Sequence, residues 1–128
     1  MKQAIALMLL TSPAIAEPVT VPSGQPVEFI EMIRDVEGTA GETLRFRFVA
    51  PQISRDGGTV SIEASLADID VLCAEFVLPM VNKAAAAPDQ VIISLADRKV
   101  DFGIASPEAT QIFEAYRVED THCIWEGF

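Results

Sequence analysis

The clearest element in the sequence is a strand with one apolar face. In "TLRFRFVAP", Leu44, Phe46 and Phe48 alternate with Arg45 and Arg47. Alternation with a period of two is typical of a strand that is buried on one side and exposed to solvent on the other. The segment therefore predicts a half-buried β-strand that presents both arginines away from the core.

The segment before it, "PVEFIEMIRDV", alternates in the same way and predicts a second strand. The glycine-containing connection "EGTAGE" has the length of a hairpin loop, so the two strands are expected to pair antiparallel. On this interpretation one face carries Val27, Phe29 and Ile33, and the opposite face carries Glu28, Ile30 and Met32.

After "TVSIE", which is interpreted as a short strand, the apolar period changes to three or four residues. The segment "SLADIDVLCAEFVLP" has the spacing of an amphipathic helix, and Cys73 lies on its apolar face. Ser65 followed by Asp68 resembles a capping box, which predicts the start of the helix there. Pro79 disfavours helical geometry at Leu78 and so predicts the end of the helix.

The second half of the chain is divided between apolar runs and turn residues. The uninterrupted run "VIISL" predicts a central strand, and "VDFGIA" predicts another. "SPEA" has the residues that open a helix, whereas "TQIFEAYRVE" fits either a helix or a strand. We favour a single helical turn and then a strand, which "EDTH" turns into a final strand. Together these elements predict an α+β fold, in which one main helix packs across a largely antiparallel sheet.

The N-terminal sequence "MKQAIALMLLTSPAIA" has the pattern of an export signal. Lys2 precedes an apolar run, and the run ends in a small-x-small cleavage pattern at Ala14 to Ala16. A membrane-spanning helix needs about 20 apolar residues, and charges interrupt every later apolar run. We therefore predict an exported protein, periplasmic or secreted, with no membrane insertion after cleavage. Its predicted parts are a signal peptide (1–16), an extended leader (17–25) and a single α+β domain (26–128).

The charge balance is strongly acidic and narrows the range of partners. The chain has 9 Lys and Arg residues against 19 Asp and Glu residues, a net charge of −10. Loss of Lys2 with the signal peptide leaves 8 against 19, a net charge of −11. Binding to nucleic acid or anionic lipid requires clustered basic residues, so we expect neither kind of partner.

The two cysteines, Cys73 and Cys123, are expected to form a disulfide, because an exported chain meets an oxidising compartment. Closing the loop of residues 73–123 would stabilise the fold by about 4 kcal/mol in the chain-entropy model. With both thiols paired, no cysteine nucleophile is expected.

The tail "DTHCIWEGF" gathers rare side chains, yet it predicts no reactive site. Neighbouring residues of a strand point to opposite faces, so His122 and Cys123 do not face one metal ion. Trp125 falls on the same face as Cys123 and is predicted to cover the disulfide, like a plug in the core. The chain has no G-x-S-x-G motif to present a serine nucleophile. It also has no calcium-binding loop and no glycine-rich phosphate-binding loop. We therefore predict no catalytic residue, no metal site and no cofactor.

The candidate binding surface consists of Arg45, Arg47, His122 and Trp125. Arg45 and Arg47 share a strand face and are suited to grip an acidic ligand. The alternative is that they pair with an acid on the neighbouring strand, for which Glu28 is the candidate. The oligomeric state and the identity of the partner stay open.

The chain resembles a known family in three stretches, which are "LRFRFVAPQISRDGG", "ADIDVLCAEFVLP" and "ISLADRKVDFGIASPEATQIFEAYRVEDTHCIWEGF". It is similar there to small exported alphaproteobacterial proteins classed as a domain of unknown function. The resemblance implies export, an alphaproteobacterial source and paired cysteines, but no activity and no catalytic residues. Some members carry an acetolactate synthase label. We reject it for this chain, because such enzymes are far larger, use thiamine diphosphate with magnesium and work in the cytoplasm.

Taken together, these features predict a non-catalytic periplasmic binding or accessory module whose partner is a protein or a small ligand. One alternative is a small hydrolase that uses carboxylates together with His122. The other alternative is a structural or stress accessory protein of the cell envelope.

Overall fold

The computed structural model describes residues 18–38, 41–84 and 86–127, without the side chains of residues 36–38. The predicted signal peptide lies outside the described residues. The five strands are β1 (Glu28–Gly38), β2 (Gly41–Val49), β3 (Gln90–Ala96), β4 (Gln111–Glu119) and β5 (His122–Glu126). The helices are a short 3₁₀ turn (Pro51–Ile53), α1 (Ile62–Leu72), a π turn (Cys73–Val77) and α2 (Leu78–Lys83).

The strands form one sheet in the order β1-β2-β3-β4-β5, with β3 at its centre. Three neighbouring pairs are antiparallel, and only β2 and β3 run parallel. A parallel pair needs a crossover connection, and here the crossover of residues 50–89 contains both helices. The predicted α+β fold, a largely antiparallel sheet with one main helical element, is therefore confirmed.

The core lies between the helical crossover and one face of the sheet. Leu44, Phe46 and Phe48 of β2 are buried there, as the alternation predicts. Four phenylalanine rings form a cluster with centroids 5.0–6.2 Å apart. Burying one such side chain contributes about 1.5–3 kcal/mol. The rings belong to Phe29, Phe46, Phe48 and Phe76.

A β-bulge corrects the predicted faces of β1. Phe29 lies opposite Phe48, but the next pair is Glu31 with Arg47, so Ile30 is an extra residue. One extra residue reverses the alternation beyond it, because side chains change face at every step. Met32 therefore shares the face of Phe29, and Ile33 lies on the opposite face, contrary to the sequence prediction.

The helix begins earlier than predicted, so the interpretation of "TVSIE" as a strand is wrong. Ser61 has an extended backbone (φ −70°, ψ 161°), and its hydroxyl accepts a hydrogen bond from the Ala64 N–H. This is the geometry of an N-cap residue. Ser65 lies inside the helix, where its hydroxyl donates to the Ser61 carbonyl at 2.8 Å.

The helix also continues past Pro79, which sequence analysis takes as its end. Leu78 stays helical (φ −58°, ψ −46°), and its N–H donates to the Cys73 carbonyl. This wider π turn starts a new helical segment, α2, with Pro79 in its first turn. A proline is tolerated in a first turn, because the N–H that it lacks would have no partner within the helix.

The segment "VDFGIA", predicted as a strand, lies in an irregular loop between β3 and β4. The Ile104 N–H donates to the Asp101 carbonyl in a tight turn, and Gly103 adopts φ +80°. "VDFGIA" cannot pair with the edge of β3 that β2 leaves free, because strand β4 occupies that edge. A single turn closed by Ser106 and Ala109 follows, and residues 111–119 are a strand, as the favoured interpretation has it.

Residues 18–27 run along the helical side of the sheet. Val21 and Val27 are buried in the core, and the Val19 N–H donates to the Val27 carbonyl at 3.1 Å. Pro18 forms an isolated bridge with Glu28, the first residue of β1. The described part of the predicted leader is therefore packed against the domain.

Candidate functional site

The face of the sheet opposite the helices, called the open face here, carries both predicted arginines. In the register of β2 and β3, Arg45 aligns with Ile92 and Arg47 aligns with Ser94. All four side chains point away from the core residues of their strands. Strand alternation alone places the two guanidinium groups side by side.

The β3–β4 loop of residues 97–110 folds back over the open face and stacks on these arginines. The Phe102 ring centroid lies 5.4 Å from Cζ of Arg45 and 5.6 Å from Cζ of Arg47. Both distances are within the range of a cation–π interaction. One aromatic ring therefore covers both cations.

Arg47 has two of its N–H groups bonded to protein acceptors. Its Nη2 donates to the Val100 carbonyl at 2.6 Å, and its Nη1 lies 3.3 Å from a Glu31 carboxylate oxygen. The neighbouring-strand acid is thus Glu31 and not the predicted Glu28, which aligns with Val49. Arg47 therefore connects both the β3–β4 loop and β1 to β2.

Arg45 differs from Arg47 in the surroundings of its Nε atom. Its Nε is buried and has no hydrogen-bond partner among the described residues. A buried donor that stays unsatisfied costs about 1–3 kcal/mol or more when the group is charged. Such a group calls for a functional explanation, and a bound acceptor would supply one.

A recess of about 180 Å³ opens beside this arginine. Polar groups at its wall include Ser94 and Gln111, and its rim carries three large apolar side chains. Their exposed fractions are 50% for Phe102, 65% for Ile104 and 54% for Phe113. The recess therefore combines a guanidinium with an apolar rim, and we call it the arginine recess.

The base of the loop is held by Asp97, a buried carboxylate at the end of β3. The Arg98 Nε donates to it at 3.0 Å, and the Asp97 N–H donates to the Thr110 carbonyl at 3.0 Å. The hydrogen bond from Arg98 is the main cause that lowers the pKa of Asp97 below its ordinary value of 3.8, with smaller contributions from Ser54 and Thr110. An ionised Asp97 thus fixes both ends of the loop that bears Phe102.

The other two residues of the predicted binding surface lie elsewhere. His122 is on the open face of edge strand β5, which is separated from β2 by two strands, and its Nδ1 lies 2.7 Å from the Thr121 hydroxyl. Trp125 faces the helical side opposite Tyr116, and its Nε1–H donates to Glu114 at 2.5 Å. It is 60% exposed, so the prediction that it plugs the core is wrong.

The predicted disulfide is confirmed. Cys73 in the π turn is bonded to Cys123 in β5, and Cys73 is fully buried. Neither cysteine is free, so a thiol nucleophile does not arise. The bond fixes the middle of the helical crossover to the edge of the sheet.

Sequence analysis missed Phe102, Ile104 and Phe113 as site residues. The sequence pattern predicts that the first two belong to a strand. Gly103 between them was the available indication, because glycine inside an apolar alternation marks a bulge or a turn.

Two further features of the described ranges concern metal ligands and apolar helices. No group of three or more His, Cys, Asp or Glu side chains that could hold a metal ion occurs there. No helix in the described part of the chain is long and apolar enough to cross a membrane.

Comparison with known proteins identifies a family. The model of a family described as "Family of unknown function (DUF6497)" matches residues 4–128. No curated protein and no solved structure matches the chain.

Proposed function

The chain belongs to the Family of unknown function (DUF6497), and we propose that it is a non-catalytic binding module whose arginine recess holds an anionic ligand. The proposal places this module outside the cytoplasm, in the periplasm or secreted medium. The oxidised pair Cys73–Cys123 supports that location, because disulfides persist in oxidising compartments.

One observation carries the proposal, namely the buried and unpartnered Nε of Arg45. The charge of an arginine is permanent, so this donor cannot be neutralised by loss of a proton. An incoming anion would satisfy it with a charge-assisted hydrogen bond, which contributes about 1.5–3 kcal/mol. The contrast with Arg47, whose Nη1 and Nη2 each have a protein acceptor, indicates which of the two arginines meets the ligand.

The surrounding loop supports the same proposal. Phe102 covers both guanidinium groups and displaces water from them, which strengthens electrostatic attraction at short range. The excess of acidic residues elsewhere on the chain opposes nonspecific binding of anions. The recess is therefore suited to select one anionic group by close contact.

A direct test is to follow the Arg45 Nε–H resonance by nuclear magnetic resonance during titration with acetate, sulfate and inorganic phosphate. We expect saturable movement of this resonance with at least one anion. The variant Arg45→Gln should bind that anion about ten-fold more weakly, as loss of one charged hydrogen bond implies.

Arg117→Gln is the matched control. Arg117 lies on the open face of β4 but outside the arginine recess, where it pairs with Glu119 at 3.1 Å. Its replacement should leave anion binding unchanged. An Arg45 resonance that no anion moves, or equal weakening by both variants, would refute the proposal.

A further inference from the structure

We infer that the occupant of the arginine recess is a partner protein, which inserts one carboxylate from a segment with apolar residues on either side and a basic residue nearby. This inference rests on the proposed function and adds the chemical class of the ligand.

The size of the recess favours a single side chain over a metabolite. Pockets for small molecules measure about 300–1,000 Å³, whereas the arginine recess measures about 180 Å³. Anchor sites of protein interfaces accept one buried side chain, which contributes much of the binding energy.

The apolar rim supplies the rest of such an interface. Phe102, Ile104 and Phe113 are each at least half exposed and line the same recess. Clustered exposed apolar side chains mark interaction sites, and aromatic residues are enriched in them. Apolar residues next to the carboxylate of the partner would cover this rim and exclude water from the anchor.

The number of available donors selects a carboxylate over a phosphate group. Two donors of Arg47 already bond to Val100 and Glu31, whereas the buried Nε of Arg45 has no acceptor among the described residues. Sites for phosphorylated segments use clusters of arginines to balance about two negative charges. A single unsatisfied guanidinium instead matches the charge of one carboxylate.

Acidic groups near the rim favour basic residues next to the carboxylate of the partner. Asp101 lines the recess, and Glu31 is 45% exposed beside Arg47. The whole chain has a net charge of −10. A run of acidic residues would be repelled, whereas a lysine or arginine near the single carboxylate would be attracted.

The test measures calorimetric binding of short synthetic peptides to the disulfide-bonded protein. The first peptide has one internal glutamate between leucine and phenylalanine, two flanking lysines and an amidated end. The second has glutamine in place of the glutamate. The third keeps the glutamine and ends in a free carboxylate, which separates a side-chain carboxylate from a chain terminus.

We expect the glutamate peptide to bind about ten-fold more tightly than the glutamine peptide, and also more tightly than acetate, as an added charged hydrogen bond implies. If the third peptide is the tightest, the ligand is a chain terminus, and the inference of a side-chain carboxylate within a segment is overturned. Arg45→Lys should lose most of the difference, since lysine keeps the charge but lacks the planar fork. Phe102→Ala should weaken every peptide and leave acetate binding less affected.

Two further results would overturn this inference while leaving the proposed function in place. One is binding of acetate at Arg45 with no peptide binding more tightly than acetate. The other is stronger binding of inorganic phosphate or of a phosphoserine peptide than of the glutamate peptide. Arg117→Gln controls for general loss of positive charge, and the amide spectrum of each variant verifies that it is folded.

Discussion

Ser23 donates two hydrogen bonds to the carboxylate of Asp68, one from its backbone N–H at 2.9 Å and one from its hydroxyl at 2.5 Å. A third comes from Nε2 of Gln25 at 2.7 Å. Asp68 is fully buried in helix α1, so these donors take the place of water around its carboxylate. The segment that precedes β1 is thus bound to the helix through one side chain.

We predict that Asp68→Ala lowers the free energy of unfolding by about 3 kcal/mol, because it removes a hydrogen-bonded carboxylate and leaves buried donors unsatisfied. Guanidinium denaturation measures the change. Limited proteolysis should also show faster cleavage near Ser23 in this variant. Ser23→Ala removes only the hydroxyl bond and should cost about 1 kcal/mol. Equal stability of the Asp68→Ala variant and the wild type would contradict this assignment.

Removal of the disulfide should destabilise the protein by about 4 kcal/mol, because the open chain regains the entropy that closure of residues 73–123 removes. The comparison is between the oxidised wild type and the double variant Cys73→Ala, Cys123→Ala in guanidinium. A reductant should lower the stability of the wild type and leave that of the double variant unchanged. A double variant as stable as the oxidised protein would be the contrary result.

The single tyrosine allows a clean optical titration. Burial, followed by the hydrogen bond to Asp70 at 2.5 Å, raises the pKa of Tyr116 above its ordinary value of 10.0. We expect no tyrosinate absorbance near pH 10 while the protein is folded. Asp70→Asn should lower the pKa only in part, because burial is the larger cause. Tyrosinate absorbance that appears near pH 10 in the folded wild type would show that the pKa of Tyr116 is not raised.

The same shift has a consequence for stability at alkaline pH. The raised pKa of Tyr116 contributes stability that is fully present below pH 10.0 and is lost as the pH rises toward the pKa of the folded protein. The free energy of unfolding should therefore fall with pH above that point. The variant Tyr116→Phe lacks the ionising group and should not show this part of the decrease.

An acid-side prediction concerns Asp97, whose pKa lies below 3.8 in the folded protein. A lowered pKa gives stability that is present above the unfolded value and is lost as the pH falls through the folded value. The stability difference between wild type and Asp97→Asn should thus be full at neutral pH and vanish in strong acid. Asp120→Asn, at an exposed position, is the control. A difference that is independent of pH would contradict this role.

The sequence predicts best where one periodicity has no interruption. The alternation in "TLRFRFVAP" correctly places Phe46 in the core and Arg45 outside it, because a strand has only two faces. The position of Cys73 on the apolar face of a helix, together with export chemistry, likewise predicts the disulfide.

Predictions fail where a single residue changes the local geometry. The bulge at Ile30 reverses the faces of β1 beyond it, and no residue type marks it in advance. The π turn after Leu72 places Pro79 at the start of a new helical segment. Both outcomes depend on tertiary packing, to which local propensity is only a weak guide.

The arginine recess could be predicted only in part. Alternation places Arg45 and Arg47 on one face, but the return of Phe102 over them depends on which sheet edge is free for the β3–β4 loop. Strand β4 pairs with that edge, so "VDFGIA" is left as a loop despite its strand-like alternation. Competition between segments for one edge is a property of the whole sheet.

The parallel pairing of β2 with β3 gives the protein an expected order of folding. The hairpins β1–β2 and β4–β5 join segments that are close in sequence, whereas β2 reaches β3 only after the crossover of residues 50–89 has been closed. Contacts between distant segments form slowly, since the entropy of loop closure must be lost before they are made. The chain should therefore complete its two local hairpins first and join them last. The arginine recess, with Arg45 on β2 and Ser94 on β3, assembles only at that final step.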